Sequence, residues 1–556
     1  MTASCNIAAA LPRMAIERPG QIAIRCPSGR RADGGVAYAN ALSYAELEQR
    51  SNAIAAGLQD AGLSRGMHAA LMVRPSPELF LLMFALFKLG AVPVLIDPGI
   101  AKRALKQCLD EAAPVAFIGI PLAHAARCVL GWARHHVRLP ITVGRRWFWG
   151  GSSLAQIEAR GATLPFTMAN TSADETAAIL FTSGSTGVPK GVVYRHRHFV
   201  AQIDLLREAL AIAPGGVDLP TFPPFALFDP ALGLTSVIPD MDPTRPALAD
   251  PRKLIQAIND FGVSRMFGSP ALLDTLSRFG EAHAIRLPTL QQVTSAGAPV
   301  PPEVVARMQA MLPAEAQIWT PYGATECLPV AVIEGRELRA TREATETGAG
   351  TCVGRPVLGN TVRIIAIIEA ALPCWSDVSE LPAGQVGEIT VAGPSVTDAY
   401  FARPAATALA KISERLTDGS QRVVHRMGDL GCFDESGRLW FCGRKSQRLE
   451  TAKGPLYTEQ VEPIFCTLPA VRRAALVGVG ARSEQLPVVC IELQPGTPRR
   501  DRRDLLASLR AIASRHSHTA EITTFLFHRG FPVDIRHNAK IGRELLAVWA
   551  AGKLGR

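Results

Sequence analysis

At 556 residues, the chain is longer than one hydrophobic core usually supports, so at least two domains are expected and a small disulfide scaffold is excluded. Apolar residues at 48% and charged residues at 19%, with 47 Gly and 41 Pro, describe a globular chain rather than a disordered one. The formal charge of +10 favours anionic partners in general and selects none.

The N-terminal stretch Met1 to Pro12 lacks a basic start followed by a sufficient apolar run, so no signal peptide is expected. The longest apolar stretch, Leu79 to Ile96, contains Lys88, Gly90 and Pro93; it reads as a buried helix followed by a buried strand, not a membrane span. From about Ile22 to Pro270, short apolar runs such as Ala69 to Pro75 and Val92 to Pro98 alternate with helical stretches. That rhythm predicts parallel sheets with helices on their faces, and such sheets hold ligands at their strand ends. Eleven cysteines, an odd number with no C-x-x-C pair, argue against a disulfide framework and a zinc ribbon and for a reducing, cytoplasmic compartment.

The segment Ala177 to His196 carries the most information. An apolar strand, Ala177 to Phe181, runs into Thr182-Ser183-Gly184-Ser185-Thr186-Gly187-Val188-Pro189-Lys190-Gly191, and an amphipathic helix with Phe199, Ile203, Leu206 and Leu210 on one face is expected to follow. Glycines let backbone N–H groups turn toward an oxyanion, hydroxyls add donors and Lys190 adds a positive charge, so a polyphosphate is the natural guest. The spacing of Gly184, Gly187 and Lys190 is not that of a Walker A loop. A flexible linker would not be bounded by a buried strand and an amphipathic helix.

Further along, Phe222 to Leu234 is rich in Phe, Pro and Leu and suits an alkyl pocket or a core segment equally well. Ser295-Ala296-Gly297-Ala298-Pro299 taken alone is an ordinary turn, and Glu326 in Tyr322-Gly323-Ala324-Thr325-Glu326 taken alone is a surface carboxylate. Between Ala349 and Tyr400, Gly-punctuated strands read as antiparallel β-structure. Met427-Gly428-Asp429-Leu430-Gly431 sets a single acid between glycines, and the polar stretch Gly443 to Gln447 reads as a domain hinge. Beyond it, a small α+β domain ends in an Arg-rich helix from about Arg502 and in Asp534 to Ile541. Its cluster Arg499, Arg500, Arg502 and Arg503, interrupted by Asp501, reads as a solvated face. His196 with His198, and His516 with His518, lack a third ligand at suitable spacing, so ordinary polar roles are expected of them.

In this order, the segments resemble the ANL superfamily of adenylate-forming enzymes, which includes acyl-CoA synthetases, peptide-synthetase adenylation domains and luciferases. The resemblance covers nearly the whole chain, and the family's T-S-G-S-T-G-x-P-K-G loop is matched throughout from Thr182 to Gly191. It implies an α/β fold. A large N-terminal domain, residues 1–443, would hold doubly wound sheets and a β-barrel-like subdomain, and a mobile α+β C-terminal domain, residues 444–556, would follow with Lys445 at the hinge.

It also implies ATP and Mg²⁺ as cofactors. Thr182, Ser183, Gly184, Ser185, Thr186, Gly187 and Lys190 would hold the β- and γ-phosphates. Ala296, Gly297 and Ala298 would run along the adenine, Tyr322 beside Gly323 would stack on it, and Thr325 would meet the α-phosphate. Glu326 would hold Mg²⁺, Asp429 would accept the ribose hydroxyls, and Arg444 would contact ribose or phosphate. Lys540 would serve the adenylation step, with Lys453 and Lys553 as the weaker alternatives.

Two departures bear on the second half-reaction. Ala226 stands where many acyl-CoA synthetases carry the His of P-L-F-H, and the closing region is altered to Gly454-Pro455-Leu456-Tyr457-Thr458-Glu459-Gln460-Val461-Glu462. Within the superfamily, FPPFALFDPALG, PDMDPTRPA, YGATECLPV and DIRHNAKI look closest to the β-lactone synthetases of bacterial long-chain olefin biosynthesis. That resemblance implies adenylation of a 2-alkyl-3-hydroxy fatty acid and closure to a β-lactone by its own hydroxyl, with Phe225 and Phe228 in the acyl pocket and other olefin-pathway enzymes as partners. A long-chain fatty acyl-CoA or acyl-carrier-protein ligase is the alternative. A nucleotide-binding scaffold without catalysis is disfavoured by Glu326, Asp429, Arg444 and Lys540 together, and a nucleic-acid binder by the lack of any reader motif.

Overall fold

The computed structural model describes residues 5–97, 99–100, 102–182, 189–498, 501–533 and 541–555. One sheet runs, edge to edge, through Lys190–Arg195, Thr176–Thr182, Val92–Ile96, His68–Met72, Ala116–Gly119, Leu139–Thr142 and Ser152–Ser153. All its pairs are parallel except the first. The two-residue period of a strand assigns its faces: Ala69 and Leu71 enter one core and Ala70 another. A second, longer sheet has a parallel half of Gln317–Ala324, Gln292–Thr294, Arg265–Phe267, Val217–Pro220, Thr235–Val237 and Ile22–Cys26, with Asn40–Ser43 antiparallel at the edge. The βαβ reading of this part of the chain is what the structure contains.

The helix Pro77–Leu89 lies in the core that both sheets share, and every residue from Phe80 to Leu89 is buried. A helix apolar on all sides has to be enclosed by protein, which explains the membrane-like hydropathy of Leu79 to Ile96. Gly90, at φ +73, ends it in a left-handed cap, and the strand Val92–Ile96 follows. Lys88 is fully buried and is satisfied by the Glu48 carboxylate at 2.6 Å, Asn52 at 2.7 Å and Ser51 at 2.8 Å. Among the described residues, no helix is long and apolar enough to cross a membrane.

Cys327–Glu334 turns the second sheet antiparallel and leads through Thr351–Pro356, Leu439–Arg444, Gln421–Phe433 and Gly387–Ala392 to Thr361–Ile365, with Lys411–Arg415 also on Gln421–Phe433. This barrel-like part has its own core of Ile364, Ile389, Val391, Val396, Met427 and Leu439.

After the turn Lys445–Gln447, a smaller domain forms around the three strands Val471–Val479, Leu486–Leu493 and Thr524–His528. Alternation again sets the packing. Leu476, Val489 and Ile491 meet the helices Thr458–Cys466 and Arg502–Ala513, whereas Val477, Val488 and Cys490 meet Arg543–Lys553. All eleven cysteines are free.

Removing one partner of a buried ion pair strands the other charge, a larger loss than replacing the charge itself by a packed apolar group. Glu48→Ala is therefore expected to lower the free energy of unfolding by about 3 kcal/mol, and Lys88→Met by less, as read from urea denaturation of the two variants.

Candidate active site

A cleft of about 1690 Å³ opens where the strand ends of both sheets, the barrel-like part and the C-terminal domain meet. It exceeds the roughly 300–1,000 Å³ of a pocket for one small ligand, and its two ends differ in chemistry. Lys190, Tyr322, Thr325, Glu326, Asp429 and Arg444 line the polar end, and Phe199, Phe222, Phe225, Phe228 and Phe267 line the apolar end.

Three strands build the polar end. Asp429 and Arg444 face each other in the register of Gln421–Phe433 with Leu439–Arg444 and form an ion pair at 2.9 Å. The Tyr322 hydroxyl donates to the other Asp429 oxygen at 2.7 Å. Burial and the Asp429 charge push the Tyr322 phenol well above its ordinary value, so it stays a donor. The hairpin tip Gly323 to Glu326 is tight: a Cβ on Gly323 would stand 2.8 Å from the Cys327 carbonyl oxygen. Gly297, with φ +98, turns the Ala296–Ala298 backbone along the cavity wall.

Glu326 is held from behind. Its carboxylate accepts the Tyr400 hydroxyl at 2.6 Å, and its carbonyl accepts the Thr397 N–H at 2.9 Å. Burial alone would lift its carboxyl, yet His425, the Tyr400 hydroxyl and Lys411 bring it below the ordinary carboxylate value. Burial in turn drops Lys411 to about 8 and His425 to about 3. Lys190 lies over the Tyr400 ring, 5.0 Å from its centre. Tyr400, Lys411 and His425 are absent from the motif reading. His425 had a signal, standing four residues before Asp429 on the same strand, as did the lysine at the head of Lys411–Arg415. Tyr400 had none.

The strand Thr176–Thr182 is as expected, but it is followed by the antiparallel strand Lys190–Arg195, with Thr182 opposite Lys190, before the helix His196–Ala209 begins. The phosphate-loop motif is thus a hairpin connection and does not open directly into a helix. Ser183, Gly184, Ser185, Thr186, Gly187 and Val188 lie outside the described residues, as does Lys540 with the rest of 534–540. Ile541, Gly542 and Arg543, which follow Lys540, line the cleft. Of the alternative lysines, Lys453 pairs with Glu521 on the surface and Lys553 sits in the exposed last turn of its helix.

At the apolar end, the run Phe222 to Leu234 divides its work. Phe222, Phe225 and Phe228 line the cleft, whereas Ala226, Ala231, Leu232 and Leu234 enter the core. The ring of Phe225 meets Phe267 edge-on at 4.6 Å, and Phe199 stacks on Tyr194 at 4.5 Å. The Tyr194 hydroxyl donates to the Thr325 carbonyl, which ties this aromatic wall to the polar end. Three of the four histidines make polar contacts: His196 Nδ1 accepts the Ile7 N–H at 3.2 Å, His198 Nδ1 accepts the Arg195 N–H at 3.0 Å, and His518 meets the Gln460 carbonyl at 3.0 Å, while the ring of His516 lies beside that of His518.

Lys445 reaches Glu388 at 3.0 Å and the Ile368 carbonyl, and Glu388 also holds the buried Arg426 at 2.6 Å. Thr351 donates to Glu459 of the C-terminal domain at 2.9 Å. Burial and the neighbouring Glu462 raise the Glu459 carboxyl from its ordinary 4.5 to about 7. Between these values the folded state keeps a proton that the unfolded chain releases, so this contribution to stability is full at the acid end and is lost as pH rises through about 7. Glu459→Gln is expected to flatten the decline of the melting temperature across this window, as measured by calorimetry in a pH series.

Residues 15–401 match the family described as AMP-binding enzyme. The chain is 68% identical over 551 residues to an olefin β-lactone synthetase of Xanthomonas campestris pv. campestris, covering 99% of this chain and 98% of that protein. It is 65% identical over 555 residues to the olefin β-lactone synthetase of Stenotrophomonas maltophilia, covering 100% and 99%. Its fold is that of ATP-bound MatB from Rhodopseudomonas palustris, with a TM-score of 0.77 at 20% identity over 100% of both chains. The chain belongs to the AMP-binding enzyme family, the ANL superfamily of adenylate-forming enzymes, on the branch occupied by the olefin β-lactone synthetases.

Proposed function

We propose that this enzyme adenylates a 2-alkyl-3-hydroxy fatty acid with ATP and closes the acyl-AMP to a β-lactone, releasing pyrophosphate and then AMP. The observation that carries the reading is a single cleft that joins an aromatic-walled apolar end to a polar end with a Tyr–Asp–Arg cluster and a buttressed carboxylate. The 68% identity to an olefin β-lactone synthetase supports it.

In the first half-reaction, a carboxylate oxygen attacks the α-phosphorus and pyrophosphate leaves. Two anions must meet, so the protein's contribution is charge neutralisation and alignment. Asp429 accepts the ribose hydroxyls, with Arg444 and Tyr322 holding it in place. Tyr322 and the backbone of Ala296 to Ala298 take the adenine, Thr325 the α-phosphate, and Thr182 to Lys190 the outer phosphates. Lys540 meets the carboxylate and the bridging oxygen. Among the described residues, no group of three or more His, Cys, Asp or Glu side chains could hold a metal ion. Glu326, which lines the cleft and is kept ionised by its neighbours, suits Mg²⁺, whose remaining ligands phosphate oxygens and water would supply. When bound, the ion would offset the phosphate charge.

In the second half-reaction, the substrate's β-hydroxyl oxygen attacks the acyl carbon and AMP leaves, with loss of the hydroxyl proton. The nucleophile is part of the substrate, so no second molecule has to be captured. Phe225 and Phe228 flank the alkyl chains. We place the domain junction between residues 443 and 444 with Lys445 as its pivot, and closure of residues 444–556 as the step that completes the site. Assembly with other olefin-pathway enzymes belongs to the same reading.

Incubation with ATP and a 2-alkyl-3-hydroxy acid, without any thiol, is expected to yield AMP and a neutral lipid with the mass of the acid less water. Strict dependence on coenzyme A or a carrier protein would favour the ligase reading instead. Lys540→Ala is expected to lower pyrophosphate exchange by at least about a hundredfold, a loss typical for one preorganised charged group, with ATP binding by calorimetry nearly unchanged.

A further inference from the structure

From Pro121 to Gly151, 31 residues contain five arginines and no Asp or Glu, which accounts for half of the chain's formal excess of +10. Arg134, Arg138 and Arg145 in this stretch are exposed and make no ion pair among the described residues, whereas surface arginines elsewhere, such as Arg65 with Glu175 and Arg50 with Glu158, are paired with acids. Large apolar side chains stand among them: Phe148 is 77% and Trp147 52% exposed, and on the helix Pro121–Leu130, Leu122 and Val129 are 65% and 82% exposed. Leu122 and Val129 are seven residues apart and so share one helix face.

The patch is built, not frayed. Trp149 stacks on the buried His124 at 5.2 Å and donates to Thr142 at 2.9 Å, and from this anchor it presents the rings of Trp147 and Phe148, each 5.3 Å away. Its position matters as well. Helix Pro121–Leu130 and the 143–151 segment leave the C-terminal ends of Ala116–Gly119 and Leu139–Thr142, the next strands after His68–Met72, whose end lines the apolar part of the cleft with Leu71 and Val73. At about 4.8 Å per strand, the patch lies roughly 10 Å along the same rim.

We propose that this patch docks the enzyme on an anionic lipid surface. Exposed Trp and Phe beside unpaired Arg, on a segment without Asp or Glu whose one neighbouring carboxylate, Asp110, is neutralised by Lys106 at 2.6 Å and accepts the Ala133 N–H, match the amphipathic interface of a bilayer, where aromatic rings sit at headgroup level and basic side chains meet anionic lipid. Docking there sets the mouth of the apolar cleft toward the phase in which long-chain lipids dissolve. The patch stands on its own observations and does not depend on which acid is adenylated.

Flotation of the full chain with vesicles of phosphatidylglycerol and phosphatidylcholine tests it without any substrate. The wild type is expected to float with these vesicles, to lose binding as salt is raised, and to float poorly with phosphatidylcholine alone. The double variant Trp147→Ser/Phe148→Ser and the double variant Arg134→Ser/Arg145→Ser should each bind about tenfold more weakly, at an unchanged melting temperature, while Leu358→Ser, an exposed leucine elsewhere, should bind as the wild type does. Absence of flotation by the wild type, or flotation of both double variants equal to that of the wild type, overturns the proposal. So does patch-dependent binding to an acidic protein without binding to vesicles.

Discussion

The cleft depends on one shared carboxylate. Asp429 is gripped by the Tyr322 hydroxyl at 2.7 Å and by Arg444 at 2.9 Å, and these three side chains come from three strands, two of them consecutive and paired antiparallel. Tyr322 ends the parallel half of the long sheet, and Asp429 and Arg444 face each other on paired strands of the barrel-like part, Arg444 directly before the turn Lys445–Gln447. A buried acid needs paired donors to remain ionised. Satisfying Asp429 therefore also ties the end of the parallel half to the barrel-like part beside the cavity.

The same economy recurs at Glu326. The carboxylate has little solvent to stabilise it, and its support comes from a second layer of Tyr400, Lys411 and His425, all three almost entirely enclosed. A polar group held this way keeps its direction when a charged ligand arrives, so alignment is set before binding. At the opposite end nothing polar is required, and the wall is made of ring edges and faces, Phe225 on Phe267 and Phe199 on Tyr194. The Tyr194 hydroxyl on the Thr325 carbonyl is where the two chemistries meet.

Lys88 illustrates how far patterning along the chain can be trusted. Its apolar neighbours alone would suit a membrane, but a charge followed by Gly90 and Pro93 marks an enclosed helix and strand, and the structure has both. The charge is tolerated because Glu48, Ser51 and Asn52 of a neighbouring helix meet it. Those partners lie almost forty residues away, so no local pattern could name them. The helix expected straight after the phosphate motif fails for a related reason. Lys190–Arg195 is a short run with Val192, Val193 and Tyr194 at its centre and no clear two-residue period, and only its pairing with Thr176–Thr182 shows that the chain turns back before helix formation begins.

The amino-acid sequence by itself determined the family, the order of the motifs, the α/β architecture and the residue types presented to a nucleotide, because these depend on local chemistry: glycines that allow tight turns, apolar periods of two and 3.6, and short polar motifs. The run Phe222 to Leu234 was legible as apolar but not as wall or core; the fold made it both, turning Phe225 and Phe228 to the cavity and Ala226 and Leu232 inward. The partners of Glu326 and the identity of the buried lysines were likewise decided only in three dimensions. Burial and ion pairing are set by side chains that meet across distant segments, and their strength varies with the enclosure that the complete fold creates.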